Sequence, residues 1–336
     1  MTAGAWGGDL AIVTGSDPRF LPGFFGLFNS ALMNGFGGRF ILLMPDGSDS
    51  SSVPNHPQLE LVKYRPDAEV FGAAAKLPLV AGLPAGRYLM LDADFIVERP
   101  CGDLLKPIEA GVVVSTEPEG KYDDHDVIVF HQAAALGISA DLPAHPYVNA
   151  GFLGFQIPRD LLLLQEYASL TATHLKGVAK VGDHPWFKFP EQDILNLLIR
   201  KHRAAGGAVF SISSKALEIG PGDETMRGRP FPYTKQDNRT PPDRIKFFIH
   251  GASLRRPWLT GRAGNGLAGS IAMAMEDHGI AALYRRAGGR LTSYERAWAY
   301  YVCAPGCPIP VRHWADRHRF TGYQHPLWRA AYGVDN

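Results

Sequence analysis

The stretch Gly86–Asp94, which reads GRYLMLDAD, decides the fold of this chain because it runs an apolar segment directly into two carboxylates. The run Tyr88–Leu91 is typical of a buried strand, and the glycine before it marks where the strand begins. Hard cations such as Mg²⁺ and Mn²⁺ take oxygen ligands, commonly one or two carboxylates together with substrate phosphate oxygens. A strand that ends in Asp92 and Asp94 therefore predicts a divalent metal held against a diphosphate.

Strand and helix signals alternate on both sides of this stretch. Apolar runs bounded by turn residues predict strands at 10–14, 40–44, 59–63, 87–91, 111–115, 148–156 and 245–250, and helices at 68–80, 158–174 and 191–202. Another helix is predicted to begin at Asp17 and Pro18 and to end near Gly35. This order favours an α/β fold, a mostly parallel sheet flanked by helices, in which ligands bind at the carboxyl ends of strands.

Composition narrows the class of protein. The chain has 336 residues, 46% hydrophobic and 20% charged, which is typical of a folded globular protein. The net charge of +1 argues neither for nor against a nucleic-acid partner, but no basic stripe precedes residue 300, which argues against one. Three cysteines make no disulfide framework, and neither a signal peptide nor an apolar run of about 20 residues is present, so a cytoplasmic location is expected.

Four short motifs follow one another along the chain: LDAD at 91–94, VNAGF at 148–152, EQDILN at 191–196 and IHGASLRRPW at 249–258. In this order and spacing they resemble the retaining nucleotide-sugar glycosyltransferases of glycosyltransferase family 8, over roughly residues 9 to 260. The resemblance implies a GT-A type fold, Rossmann-like. It also implies a UDP-sugar donor, Mn²⁺ or Mg²⁺ as cofactor, and transfer of a hexose of the glucose, galactose or N-acetylglucosamine type to an acceptor hydroxyl with retention at the anomeric carbon.

The resemblance also implies roles at the phosphate end of the donor. Asp92, Asp94 and His250 match the metal ligands, and Asp92 belongs to the Asp-x-Asp that also contacts the donor ribose. Lys76 matches a basic residue that binds the donor, and Arg256 matches the lysine that contacts the diphosphate. Arginine keeps the positive charge and adds a bidentate fork for phosphate oxygens. The family's glycine three residues after the histidine is serine in this chain.

At the sugar end, the resemblance assigns the run Asn149, Ala150 and Gly151 to the donor sugar, and Glu191 and Gln192 to the pair beside the anomeric centre. Thr14 and Asp17 match the strand exit that cradles the base, although Asp17 is an equally good helix cap. Breaking a sugar–phosphate bond builds positive charge on the sugar. The polar groups of Glu191, Gln192 and Asn149 are predicted to stabilise that charge, as carboxylates do in glycoside cleavage.

Bland interpretations stay open for the same residues. In these alternatives the two aspartates only cap a turn, His250 is an ordinary core histidine, and Glu191 is a first-turn carboxylate favoured by the helix dipole. A second Asp-x-Asp, Asp124–Asp126, lies in a polar segment and is interpreted as a solvated loop. Two other functions compete with glycosyl transfer. One is a nucleotide-sugar nucleotidyltransferase, which would need a Gly-rich loop with a cation after the first strand; the other is a non-catalytic nucleotide-sugar-binding module.

The C-terminal part is predicted to form an extension of its own. Residues 1–265 are assigned to the catalytic domain, and residues 266–336 to a helical, aromatic and basic arm packed on it. Basic and aromatic residues alternate from 311 to 329, which suits either an anionic membrane surface or packing on the domain. The expected partners are a UDP-sugar and a saccharide, glycolipid or protein acceptor. The expected location is cytoplasmic, or peripheral to the inner face of the membrane.

Overall fold

The structure is a computed structural model. It describes residues 6–18, 20–51, 53–65, 76–117, 132–139, 142–178, 184, 187, 189–212, 217–219, 247–251, 294, 297–298, 301–302 and 307–308. All structural statements below concern these residues.

A seven-stranded sheet forms the centre of the fold, with its strands in the order β3-β2-β1-β4-β7-β6-β8. The strands are β1 (Leu10–Gly15), β2 (Arg39–Pro45), β3 (Leu59–Tyr64), β4 (Gly86–Leu91), β6 (Val112–Thr116), β7 (Val148–Ile157) and β8 (Val209–Ile212). Strand β7 runs antiparallel to both of its neighbours, β4 and β6, while the other four strand pairs are parallel. The predicted mostly parallel sheet is confirmed.

A second, three-stranded sheet lies beside the first, in the order β5-β10-β9. Its strands are β5 (Phe95–Val97), β9 (Leu217–Ile219) and β10 (Phe248–His250). The helices are α1 (Leu21–Met33), α2 (Leu77–Ala81), α3 (Gly102–Leu105), α4 (Leu161–His174) and α5 (Pro190–Ala204), with a 3₁₀ turn at Lys106–Glu109.

The inner strands β1, β2, β4, β6 and β7 are buried on both faces, which explains why they are almost continuously apolar, whereas the edge strands β3 and β8 are largely exposed. Side chains alternate between two hydrophobic cores: Ile12 of β1 points into the core that holds α1, while Ala11 and Val13 point into the core that holds α4 and α5. A strand with water on one face would have shown alternating polar residues instead.

Two predicted helix starts are wrong. Helix α1 begins at Leu21, with Phe20 rather than Asp17 in the cap position. The backbone N–H of Phe20 bonds to the carbonyl of Asp17 at 2.9 Å, so Asp17 opens a turn before the helix. Helix α4 begins at Leu161 instead of Pro158. Of the helix predicted at 68–80, the described part is α2; residues 68–75 lie outside the described residues. The short strands β5, β8 and β9 were not predicted.

Residues near 300 pack against α1. The indole N–H of Trp298 donates to the carbonyl of Pro22 at 2.8 Å, and the amide of Asn29 donates to the carbonyl of Tyr301 at 2.9 Å. A Cβ on Gly26 would lie 2.6 Å from Cδ1 of Trp298, so the glycine lets the indole lie against the helix. The predicted boundary at 265 and the basic, aromatic segment 311–329 lie outside the described residues. None of the helices in the described part of the chain is both long and apolar enough to cross a membrane.

Candidate metal and donor site

Asp92, Asp94 and His250 converge at the carboxyl end of β4. The two aspartates directly follow that strand and β5 begins at Phe95, which pairs antiparallel with His250 of β10. Nε2 of His250 lies 3.2 Å from Oδ1 of Asp94 and 3.7 Å from Oδ2 of Asp92. One ligand atom from each residue lies within 4.8 Å of the others. Two carboxylates and one imidazole form a donor set that suits Mn²⁺ or Mg²⁺, so these residues fit the predicted metal.

Gly151 closes this cluster from the neighbouring strand. Its carbonyl accepts a hydrogen bond from the backbone N–H of Asp92 at 3.0 Å. A Cβ at Gly151 would lie 2.8 Å from Oδ2 of Asp92 and 2.8 Å from Cε1 of His250. The lack of a side chain at Gly151 therefore leaves room for the carboxylate of Asp92 and the imidazole of His250.

An irregularity in β7 delivers Gly151 to this place. On β6, the adjacent residues Val114 and Ser115 pair with Leu153 and Asn149 of β7, so residues 150–152 are extra on the longer strand. Such bulges bend a strand and redirect side chains, and they are common beside active sites. The motif VNAGF predicted this segment as a donor-binding strand, but a bulge has no signature in it.

Lys76 lies against the metal cluster from the other side of β4. Its Nζ is 2.9 Å from Oδ1 of Asp92, and its side chain is largely buried. A Cβ on Gly15 would lie 3.0 Å from Cδ of Lys76, so the lysine crosses the end of β1. Burial alone would lower the pKa of Lys76, but the carboxylates of Asp92, Glu191 and Asp94 raise it to a net value above the usual range. The site therefore holds the cation of Lys76 beside Asp92, one of the candidate metal ligands.

The amide of Asn149 is held at both ends. Its Nδ2 donates to Oε1 of Glu117 at 2.9 Å, and its Oδ1 accepts from the backbone N–H of Gly151 at 2.9 Å. Glu117 is buried and was not among the predicted site residues. Glu117 directly follows β6, as Asp92 directly follows β4. An acidic residue shortly after the strand predicted at 111–115 is the sequence feature that could have indicated Glu117 as a site residue. Oε1 of Gln192 accepts from the backbone N–H of Ala150 at 3.2 Å, which attaches the start of α5 to the same bulge.

Glu191 places a carboxyl group near this cluster, in the first turn of α5. Its Oε2 is buried and has no hydrogen-bond partner among the described residues. Burial raises the pKa of Glu191 from 4.5 to about 7; the Asp92 carboxylate adds to this rise, while its own backbone N–H and Lys76 oppose it. The hydroxyl of Tyr167 donates to the backbone carbonyl of Glu191 at 3.0 Å and so helps to fix the helix start.

The predicted base-cradling residues lie at the end of β1. Thr14 is fully buried, and its Oγ1 has no hydrogen-bond partner within the described ranges. Burial raises the pKa of the Tyr64 hydroxyl; the charge of Lys76 lowers that pKa and the charge of Asp17 raises it. Asp17, Lys76 and Tyr64 therefore lie close enough to interact electrostatically. The roles of Thr14 and Asp17 stay predictions. Arg256 and the segment Asp124–Asp126 lie outside the described residues.

Comparison with known proteins gives matches in structure only. No family model matches the sequence, and no curated protein matches it. The fold is similar to that of an active-site mutant of LgtC, with a TM-score of 0.51 and 14% identity over 74% of this chain and 89% of that chain. The chain has a GT-A type fold. The comparison confirms the fold class that the motif order predicted.

Two further solved structures are similar to a lower degree. The galactosyltransferase LgtC in complex with donor and acceptor sugar analogs gives a TM-score of 0.49 and 17% identity, with the same coverage of 74% and 89%. The bifunctional glycosyltransferase WbbM in its apo form gives a TM-score of 0.45 and 15% identity over 75% of this chain and 47% of that chain.

Proposed function

We propose that this chain is a metal-dependent glycosyltransferase of family 8 type, which moves a hexose from a UDP-sugar to an acceptor hydroxyl with retention at the anomeric carbon. The observation that carries the proposal is the convergence of Asp92, Asp94 and His250 at the carboxyl end of β4 in a GT-A type fold. The UDP carrier, the hexose and retention rest on the four ordered motifs. The acceptor, whether saccharide, glycolipid or protein, is open.

The phosphate end of the donor is assigned to the metal cluster and Lys76. Asp92, Asp94 and His250 would hold Mn²⁺ or Mg²⁺, which when bound stabilises the departing diphosphate as a Lewis acid. The ammonium of Lys76 lies 2.9 Å from Asp92, so it adds a second positive charge where negative charge develops on the leaving group. Because its side chain is largely buried, water screens this charge little.

The sugar end is assigned to the β7 bulge and the first turn of α5. Asn149 uses its Oδ1 and one Nδ2 hydrogen within the protein, which leaves the other Nδ2 hydrogen to donate to a sugar hydroxyl. Gln192 accepts through Oε1 from Ala150, so its amino group is directed to a ligand or solvent. These two donors and the Glu191 carboxyl form a polar face for a sugar whose anomeric carbon becomes positively charged.

A thermal-shift panel tests the proposed activity class. UDP and Mn²⁺ together are expected to raise the unfolding midpoint by several degrees, and by more than either alone, because the metal bridges the protein and the diphosphate. Ligand at a hundred times its Kd adds about 2.7 kcal/mol to the free energy of unfolding. Other nucleotide diphosphates with Mn²⁺ serve as the comparison. A midpoint that no nucleotide sugar moves, with or without metal, contradicts the proposal.

Glu191→Gln is expected to lower kcat about a hundredfold, in the range of acid–base and charge effects, while changing the Kd for UDP little. Since the pKa of Glu191 is raised to about 7, the carboxylate that faces the sugar forms only as pH rises through 7. The kcat/KM of the unmodified enzyme, which reports ionisations of the free enzyme, should therefore increase with pH up to a plateau above 7, and the variant should lose that dependence. Steady-state kinetics across pH and UDP titration calorimetry measure both effects.

The raised pKa of Glu191 also predicts that the free energy of unfolding changes with pH in the direction opposite to activity. Between pH 4.5 and about 7 the folded chain keeps a proton on Glu191 that the unfolded chain has released. The contribution of this group to the free energy of unfolding therefore falls as pH rises through that window, and the glutamine variant removes the contribution. The exposed carboxylate of Glu60 on edge strand β3 gives a matched control, Glu60→Gln, which should change neither profile. If Glu191→Gln changes the affinity for UDP more than it changes kcat, Glu191 is a binding residue and not a catalytic one.

A further inference from the structure

His250 is a buried histidine whose second ring nitrogen has no acceptor in the described part of the structure. Its Nε2 faces the two aspartates, while Nδ1 is buried without a hydrogen-bond partner among the described residues. A histidine that binds a metal commonly donates this other N–H to a carboxylate or a carbonyl, which fixes the tautomer and the ring orientation. Within the described residues, another contact must hold the imidazole in the plane that directs Nε2 at Asp92 and Asp94.

The ring of Phe95 supplies that contact. The two ring centroids lie 4.2 Å apart with an angle of 22° between the planes, so the phenyl ring covers one face of the imidazole. The contact follows from strand register, because His250 of β10 pairs directly with Phe95 of β5 and directly opposed residues project to the same face of a sheet. The backbone N–H of Gly251 also bonds to the carbonyl of Asp94 at 3.0 Å, which ties the strand ends together.

Phe95 is itself held in place by a small aromatic cluster. It is fully buried, and its ring centroid lies 6.2 Å from that of Phe152 and 6.3 Å from that of Phe248. The rings of Phe152 and Phe248 contact each other at 5.4 Å in an edge arrangement. Rotation of the imidazole about its own axis would push its edge into Phe95, which has no room to retreat. The plane of the metal ligand is therefore set by packing.

We propose that Phe95 is a positioning residue that orients His250 for metal binding, an inference that rests on the proposed metal-dependent function. In this chain, the residue directly after the Asp-x-Asp would thereby fix the orientation of the histidine ring. It contributes no ligand atom and acts only through the imidazole.

Phe95→Leu tests this role through metal affinity, measured by electron paramagnetic resonance of free Mn²⁺ in titrations with and without UDP. We expect the Kd for Mn²⁺ to rise about tenfold, the lower end of the effects seen when support of a metal ligand is removed. Affinity for UDP without metal should stay unchanged. Phe95→Met, which fills more of the space without an aromatic face, should weaken Mn²⁺ binding similarly and covers the case in which the leucine variant does not fold.

Phe28→Leu is the matched control. Phe28 is a fully buried phenylalanine of the same core, in contact with Phe24 and Phe40 and not with the metal cluster. The Phe28→Leu variant is expected to have a lower unfolding midpoint in EDTA, as is Phe95→Leu, but an unchanged Kd for Mn²⁺. Normal Mn²⁺ affinity in the folded Phe95 variants, or an equal loss in the control, would overturn the role of Phe95 alone. Failure of the unmodified chain to bind Mn²⁺ would overturn the metal site and this inference with it.

Discussion

Asp94→Asn is expected to abolish the proposed metal-dependent sugar transfer, with a fall in kcat of about a thousandfold or more. Lewis-acid stabilisation of a leaving group amounts to several kcal/mol, and each 1.4 kcal/mol, roughly, is a factor of ten in rate. Oδ1 of Asp94 lies 3.2 Å from Nε2 of His250, and the residue is only 2% exposed, so its carboxylate is held beside the imidazole in the interior of the protein. Asparagine keeps the shape of the side chain and removes the charge that a divalent cation requires.

The loss should be one of metal binding and not of folding. In EDTA the variant is expected to unfold within a few degrees of the unmodified protein, whereas Mn²⁺ with UDP should stabilise only the unmodified protein. The chain offers a matched control in its second Asp-x-Asp: Asp126→Asn changes the same residue type in the same pattern and should retain activity and metal response. Transfer at the normal rate by Asp94→Asn, or by the unmodified enzyme in EDTA, would refute the metal mechanism.

The sequence predicts the features of this fold that are local. An apolar run followed by two aspartates is enough to place Asp92 and Asp94 at a strand end, since both the strand and its exit lie within ten residues. The large sheet is likewise predictable, because strands buried on both faces leave long apolar runs. Helix starts are harder to predict than strands, as Asp17 shows. Its residue type is a good helix cap, but Asp17 opens a turn that ends at Phe20, and Phe20 occupies the cap position.

Features built from distant segments are the ones that sequence patterns miss. Strands β5 and β10 have three residues each and are separated by about 150 residues, so nothing local indicates that Phe95 faces His250. The motif order implied His250 as a metal ligand only through a family resemblance. Glu117 was missed for a similar reason, because its bond to Asn149 depends on where β7 bulges. The sequence therefore predicts which residues converge at the end of β4, and does not predict the contacts that orient them.

Gly151→Ala is expected to weaken Mn²⁺ binding about tenfold to a hundredfold and to lower kcat at limiting metal by a similar factor. The added Cβ would lie 2.8 Å from Oδ2 of Asp92, 2.8 Å from Cε1 of His250 and 2.9 Å from Oδ1 of Asn149. An extra methyl group in a packed interior costs about 1–3 kcal/mol, and about 1.4 kcal/mol is a tenfold change in affinity. Here the groups that must yield are two proposed metal ligands, Asp92 and His250, and the predicted sugar ligand Asn149, so metal binding is expected to weaken.

Gly154→Ala separates this effect from the general cost of adding a methyl group to β7. Its Cβ would come as close to a neighbour, 2.8 Å from Cδ1 of Ile108, but that neighbour is the end of an aliphatic side chain in the core. Gly154→Ala should therefore lower the unfolding midpoint and leave the Kd for Mn²⁺ unchanged, while Gly151→Ala should raise the Kd for Mn²⁺ whatever it does to the midpoint. Calorimetric Mn²⁺ titrations and thermal unfolding in EDTA measure the two quantities. Equal losses of metal affinity in both variants would mean that Gly151 serves the packing of β7 and not the metal site.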